Sequence, residues 1–197
     1  VKDTSGKVYA LSNNHVYANE NKAQFGDPVL QPGPYDGGKV PDDVIGTLSD
    51  FQWIDFSGGN NVIDAAIALS STSLLGNATP PDGYGTPKST PAAAYINMKV
   101  KKYGRTTGLT KGMVYVINAT VNVQYSSGVA RFVNQIIITP GTFSAGGGSG
   151  SLIVVDAKRS NSDRQPVGLL FAGSQFFTVA NPIQAALDKF GVTIDGN

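Results

Sequence analysis

Three polar residues in this sequence have the types and settings that chemistry needs. His15, the only histidine, lies in ALSNNHVYA, just after a strand-like stretch and before the loop-like ANENKAQFGDP. Asp64, in NVIDAAIAL, immediately precedes a run apolar enough to be core. A carboxylate at the lip of a buried strand needs a donor, because burying it unpaired is costly. Ser149 lies in AGGGSGSLIVV, where a Gly/Ser tract runs directly into four branched apolar residues that read as a buried strand. Taken alone the tract is either a flexible linker or a turn that something approaches closely. A serine hydroxyl is a weak nucleophile until a base takes its proton, and an imidazole base needs a third group to fix its tautomer. His15, Asp64 and Ser149 are of the residue types that nucleophilic acyl transfer requires.

Composition removes several other chemistries. The chain of 197 residues has no cysteine, so a disulfide framework, a thiol nucleophile and a Cys-ligated metal are excluded. A single histidine argues against an ordinary multi-histidine zinc site, and nothing in the sequence calls for a metal or cofactor. Net charge is +1 with 15% charged residues, which leaves neither a nucleic-acid footprint nor an acidic tail. Lys99, Lys101 and Lys102 alternate with apolar residues in INMKVKKY and read as the solvated face of a strand. No apolar run reaches membrane-spanning length and no signal peptide is seen. The compartment is open, and low charge with abundant Gly, Ser, Thr and Asn leans toward export.

The elements that must hold these residues are mostly strands. KVYAL, VIDAAIAL, YINMKVKKY, MVYVINATVNVQY, RFVNQIIIT, SLIVV and VGLLFA are short β-like runs separated by Gly, Pro, Asn and Asp clusters. That pattern predicts an all-β sandwich or barrel. A Pro/Gly-rich stretch at 76–93 reads as a connector between halves near 1–75 and 94–180. One helix is predicted over 181–190, in NPIQAALDKFG, with Asn181 as cap, Pro182 in the first turn and Gly191 as terminator.

The order His15, Asp64, Ser149, with the contexts LSNNHV, VIDAAIAL and GGGSGSLIV, resembles that of chymotrypsin-like (trypsin-fold) serine proteases. YGRTTGLTKG is similar to the segment opening the second barrel in bacterial members, and VGLLFAGS to the strand lining the specificity pocket. The likeness extends over most of the chain and is closest to cysteine-free bacterial trypsin-like peptidases. It implies two antiparallel six-stranded-type β-barrels packed together, with a C-terminal α-helix. It also implies a His15–Asp64–Ser149 triad, with the backbone N–H groups of Gly147 and Ser149 facing the developing oxyanion. The Gly/Ser tract would then be a site, not a linker. The residue six before the nucleophile, Phe143, is placed by this resemblance at the bottom of the specificity pocket, with Phe171, Ala172 and Gly173 as another wall.

Two features depart from the pattern. Gly148 stands where members usually carry Asp before the nucleophile, and only 14 residues precede His15. Either an upstream pro-segment or strand has been removed, or the first barrel is completed differently. The function implied is a serine endopeptidase acting on polypeptides after small or medium apolar residues. A catalytically silent binding module and an esterase on the same fold are the alternatives.

Overall fold

Alternating apolar residues and frequent turn signals give short strands throughout the computed structural model, which describes all 197 residues. The N-terminal half contains β1 (Lys2–Asp3), β2 (Tyr9–Ser12), the one-turn helix α1 (Asn14–Tyr17), β3 (Pro28–Leu30), β4 (Val44–Phe51), β5 (Asn60–Asn61) and β6 (Ala66–Leu69). In it β2, β6, β4 and β3 pair antiparallel in that order as a four-stranded sheet. Its core is small: Val29 and Leu48 pack among Ala10, Ala18, Ala66 and Ala68. Residues 70–98 then cross to the second half without a strand.

The C-terminal half contains β7 (Lys99–Gly104), β8 (Gly108–Tyr125), β9 (Gly128–Thr139), β10 (Leu152–Val155), β11 (Pro166–Gly173) and β12 (Thr178–Pro182). These pair in the order β12-β11-β10-β7-β8-β9, and β9 returns to β12, which closes a six-stranded barrel. Large branched side chains fill it, among them Val100, Val114, Ile136, Ile138, Ile153 and Leu170. The chain ends with α2 (Ile183–Phe190) and β13 (Val192–Thr193), the latter pairing with β1. The six-stranded second barrel and the terminal helix are those the sequence implies, and the first half presents a four-stranded antiparallel sheet.

The β8–β9 hairpin outgrows its barrel. Register shifts flank Ala119, and Asn118 and Asn134 take positive φ angles of 54° and 62°. Such bulges bend a strand and sharpen its twist. On the far side of them β9 pairs through Arg131 and Phe132 with β5 of the first half. This arm reaches the site.

Two local expectations are corrected. Lys101 and Lys102 are buried, because β8 and β10 flank β7 in the closed barrel and only Lys99 stays exposed. Lys101 pairs with Asp163 at 2.7 Å and Asp156 at 3.3 Å, while the Lys102 ammonium donates to Thr107 Oγ1 and the Gly108 carbonyl. The helix begins at Ile183, and Asn181 is not its cap; it lies in β12 with its side chain turned to Asp64. Ile183, Ala186 and Leu187 form the buried helix face, and Gly191 ends it at φ 61°.

Candidate active site

His15 sits on α1, directly after β2. Asp64 lies just before β6, and Ser149 in the turn before β10. The fold brings the three together. His15 Nδ1 lies 2.6 Å from Asp64 Oδ2, and His15 Nε2 lies 3.0 Å from Ser149 Oγ. An ionised carboxylate only accepts hydrogen bonds, so beside one Nδ1 carries the proton and Nε2 is left to accept from the serine hydroxyl. Asp64 is fully buried, whereas 22% of the His15 side chain is exposed, enough to meet a substrate.

Asp64 is held by residues that the sequence did not assign to the site. Its carbonyl accepts from Asn13 Nδ2 at 2.7 Å, and its backbone N–H donates to Asn181 Oδ1 at 3.0 Å. The Asn181 amide in turn donates to Gln135 Oε1 at 2.8 Å, and all three amides are fully buried. The carboxylate itself accepts from the His15 backbone N–H at 3.2 Å and from the Tyr125 hydroxyl at 2.8 Å. Burial, then the charge of Asp64, pushes the Tyr125 phenol far above its ordinary range, which keeps it a donor. A polar residue inside an apolar strand was the available signal for Gln135 and Asn181. For Tyr125, at the end of a half-exposed hairpin, there was none.

The turn carrying Ser149 is tied down at alternate amides. Gly148 N–H donates to Ala145 O at 3.0 Å and Gly150 N–H to Leu170 O at 2.9 Å, while the N–H groups of Gly147 and Ser149 have no acceptor within the protein. Those two are the donors expected at a developing oxyanion. The turn's carbonyls are drawn aside: Thr106 Oγ1 donates to Gly146 O at 2.8 Å, and Ser151 Oγ to Gly148 O at 2.6 Å. Gly147 has φ +87°, and a Cβ there would lie 2.6 Å from Thr106 Oγ1, so only glycine fits. Beside Thr106, the Arg105 guanidinium forms a two-bonded ion pair with Asp36 of the first half.

Ser149 borders two open clefts. One, of about 740 Å³, is lined by Thr142, Ser144, Ala172, Gly173, Ser174 and Gln175 among others, and the second, of about 590 Å³, by Ser12, Tyr35, Asp36 and Arg105 among others. Ala172 and Gly173, expected in a wall of the specificity pocket, line the larger cleft. Phe143 and Phe171, expected beside them, do not line it. Phe143 is 1% exposed and packs in the second barrel's core, and Phe171 is buried against Phe132, with ring centroids 4.8 Å apart. The short turn at Gly141–Phe143 points Phe143 inward and leaves its neighbours Thr142 and Ser144 on the cleft. Ser144 Oγ is bonded to Thr178 Oγ1 at 2.6 Å, away from the imidazole. No group of three or more His, Asp or Glu side chains gathers as a metal site, and no helix is long and apolar enough to cross a membrane.

This is the double-barrel fold of the trypsin-like serine proteases. Residues 82–180, just over half of the chain, match the Nal1 C-terminal domain family, and the chain belongs to that family. Among solved structures it is similar to a glutamic acid-specific serine protease that uses a histidine triad in substrate binding, with 22% identity, a TM-score of 0.66, and coverage of 97% of this chain and 88% of that one. It is also similar to Cellulomonas bogoriensis chymotrypsin (18% identity, TM-score 0.62, 95% and 85% covered). Thermobifida fusca Protease A is a third (16% identity, TM-score 0.64, 99% and 88% covered). No curated protein sequence matches the chain. At these identities the likeness is one of fold.

Proposed function

We propose that the chain is a serine endopeptidase using Ser149 as nucleophile, His15 as general base and Asp64 as the group that orients the imidazole. The observation that carries this reading is the unbroken Ser149–His15–Asp64 hydrogen-bonded line, set beside two backbone N–H groups without acceptors. Ser149 Oγ attacks the scissile carbonyl carbon as its proton passes to His15 Nε2. The carbonyl oxygen becomes an oxyanion between the N–H groups of Gly147 and Ser149. Collapse breaks the C–N bond, and the imidazolium returns the proton to the leaving amine. Water, deprotonated by the same imidazole, then attacks the acyl-enzyme; the carboxylic acid leaves and Ser149 regains its hydrogen. Clefts on both sides of Ser149 suit an extended polypeptide running past it.

The substrate class follows from the lining of the larger cleft. With Phe143 and Phe171 in the core, threonine, serine and glutamine side chains replace the expected apolar walls, and no acid lines the cleft. We propose cleavage after small or medium uncharged residues, with Lys and Arg poor because their cations would find no partner. The glutamic acid-specific relative's histidine triad has no counterpart, since the one histidine here is already committed to Asp64 and Ser149.

A fluorophosphonate probe followed by digestion of a peptide library, read by mass spectrometry, tests both levels. Labelling at Ser149 with cleavage after uncharged residues supports the proposal. No labelling of a natively folded chain makes it a silent double-barrel binding module, and turnover of esters alone makes it an esterase. Cleavage mainly after Lys or Arg overturns the pocket assignment.

A further inference from the structure

The carboxylate of Asp64 is shut away from solvent, and three donors reach it: the His15 backbone N–H, the His15 imidazole and the Tyr125 hydroxyl. Two of these belong to the residue that Asp64 has to orient. Tyr125 supplies the only bond to the carboxylate from a residue other than His15, and it shares Oδ2 with the imidazole.

Tyr125 is brought there by construction. It is the last residue of β8, at the tip of the arm that leaves the second barrel. Its ring packs edge-on to Phe56 at 5.7 Å and against Phe132 at 6.2 Å and the His15 ring at 5.8 Å. The next two residues are clasped by one carboxylate. Glu20 accepts from Ser126 N–H at 3.1 Å, Ser126 Oγ at 2.7 Å and Ser127 N–H at 2.7 Å. Glu20 lies in the loop following α1, five residues after His15. Burial alone would raise the Glu20 pKa, but the hydrogen bonds from Ser127 and Ser126 outweigh it and hold it at about 2.

We infer that Tyr125 is a positioning residue for the His15–Asp64 pair, and that Glu20 is the latch that keeps the hairpin tip, and with it the phenol, on the buried carboxylate. This rests on the serine peptidase reading for its effect on turnover, though not for its effect on the hydrogen bond itself. A hydroxyl donating to Oδ2 drains charge from the oxygen that also accepts the Nδ1 proton. It fixes the rotation of the carboxylate plane, and so the direction in which the imidazole is held toward Ser149. The charged or titratable groups around the pair are Tyr125 and, beyond the phenol, Glu20, with the Lys22 ammonium 3.7 Å from the Glu20 carboxylate.

Tyr125→Phe removes one oxygen and keeps the ring packing. With a peptide substrate, kcat should fall about 5–30-fold while KM stays within about two-fold, because a hydrogen bond to a charged group is lost without touching the substrate. Losing the second donor makes Oδ2 a stronger acceptor, so the far-downfield proton resonance of His15 Nδ1 should move further downfield. The chain's single histidine makes that resonance unambiguous, and it can be followed in Ser149→Ala as well. A wild-type chain that hydrolyses nothing therefore defeats the peptidase reading while the resonance still tests the positioning role. Glu20→Gln should shift the same resonance in the same direction by less, and the double variant should be no worse in kcat than Tyr125→Phe. If Tyr125→Phe fails to fold, Glu20→Gln carries the test alone. An unmoved resonance, or additive losses in the double variant, overturns the inference.

Discussion

Replacing Asp64 by asparagine exchanges one oxygen for an NH2 group at a site where every direction is occupied. Oδ1 accepts the His15 backbone N–H at 3.2 Å, and Oδ2 accepts both Nδ1 at 2.6 Å and Tyr125 at 2.8 Å. With the amide oxygen kept at the Oδ2 position, the NH2 group faces the His15 N–H, and two buried donors oppose each other. Leaving such donors unsatisfied costs about 2–3 kcal/mol. The amide therefore turns the other way and presents its NH2 group to Nδ1 and to the Tyr125 hydroxyl, which rotates to accept. That nitrogen must then accept, the ring proton moves to Nε2, and a donor is aimed at a serine that needs a base.

The tautomer preference of about 2–3 kcal/mol corresponds to roughly 30–150-fold, at about 1.4 kcal/mol per factor of ten. The lost stabilisation of imidazolium by a buried carboxylate at contact distance adds about 3 kcal/mol, or roughly 100-fold. Together kcat should fall about 10⁴-fold, in line with the loss of a triad carboxylate in general. The assay is turnover of a chromogenic peptide, paired with the nitrogen chemical shifts of the single imidazole, which report the protonated nitrogen directly. A loss below about ten-fold, or a ring still protonated at Nδ1 in the variant, would refute the reasoning.

Ser149→Ala and His15→Ala should each lower peptide turnover by about 10⁴–10⁶-fold, and the double variant should be little worse than either, since the two act as a unit. Gly147→Ala, at φ +87° with its Cβ 2.6 Å from Thr106 Oγ1, should displace the hydroxyl that holds the Gly146 carbonyl and reduce kcat by about 10²–10³. Circular dichroism of that variant should stay native, and undiminished kcat would remove Gly147 from the oxyanion site. The depressed pKa of Glu20 means that its clasp stabilises the fold fully above its ordinary value of 4.5 and loses that contribution as pH falls toward about 2. Amide-exchange protection at Ser126 and Ser127 should hold down to about pH 4.5 and fall only below it.

The parts of this site that were legible in the sequence are those with local signatures. A lone histidine, an acid at the edge of an apolar run and a serine in a glycine tract each show their unusual demand within ten residues. The barrels were legible because closed sheets need short strands and turn residues, and the helix because its apolar face repeats. What stayed hidden depends on distant contacts. Tyr125 meets an acid 61 residues away, and nothing around it in VNVQYSSG marks that meeting. Asn181 reads locally as a helix cap, but the buried backbone N–H of Asp64 takes its side-chain oxygen instead. Phe143 turns into the core while its neighbours Thr142 and Ser144 line the cleft, since a turn of three residues does not show in sequence which side chain points inward.

The two halves are unequal, and the site depends on that inequality. His15 and Asp64 are mounted on the half whose sheet core is mostly alanine, and each buried alanine contributes far less than a leucine or isoleucine. Ser149 belongs to the half with the larger, branched core. A histidine and an acid that must hold a fixed geometry therefore stand on the less strongly packed support. The fold compensates with polar contacts reaching across from the stronger half. Asn181 holds the Asp64 N–H, Gln135 Nε2 donates to Val62 O at 2.8 Å, Asn61 donates to Arg131 O at 3.1 Å, and Tyr125 holds the carboxylate. Each of these is directional, which apolar packing is not, and all four fall within four residues of chain, 61–64. Position in the weaker half is thus set from outside it. Disturbing the β8–β9 arm should consequently loosen the acid–base pair before it disturbs the nucleophile, although the arm and Ser149 belong to the same barrel.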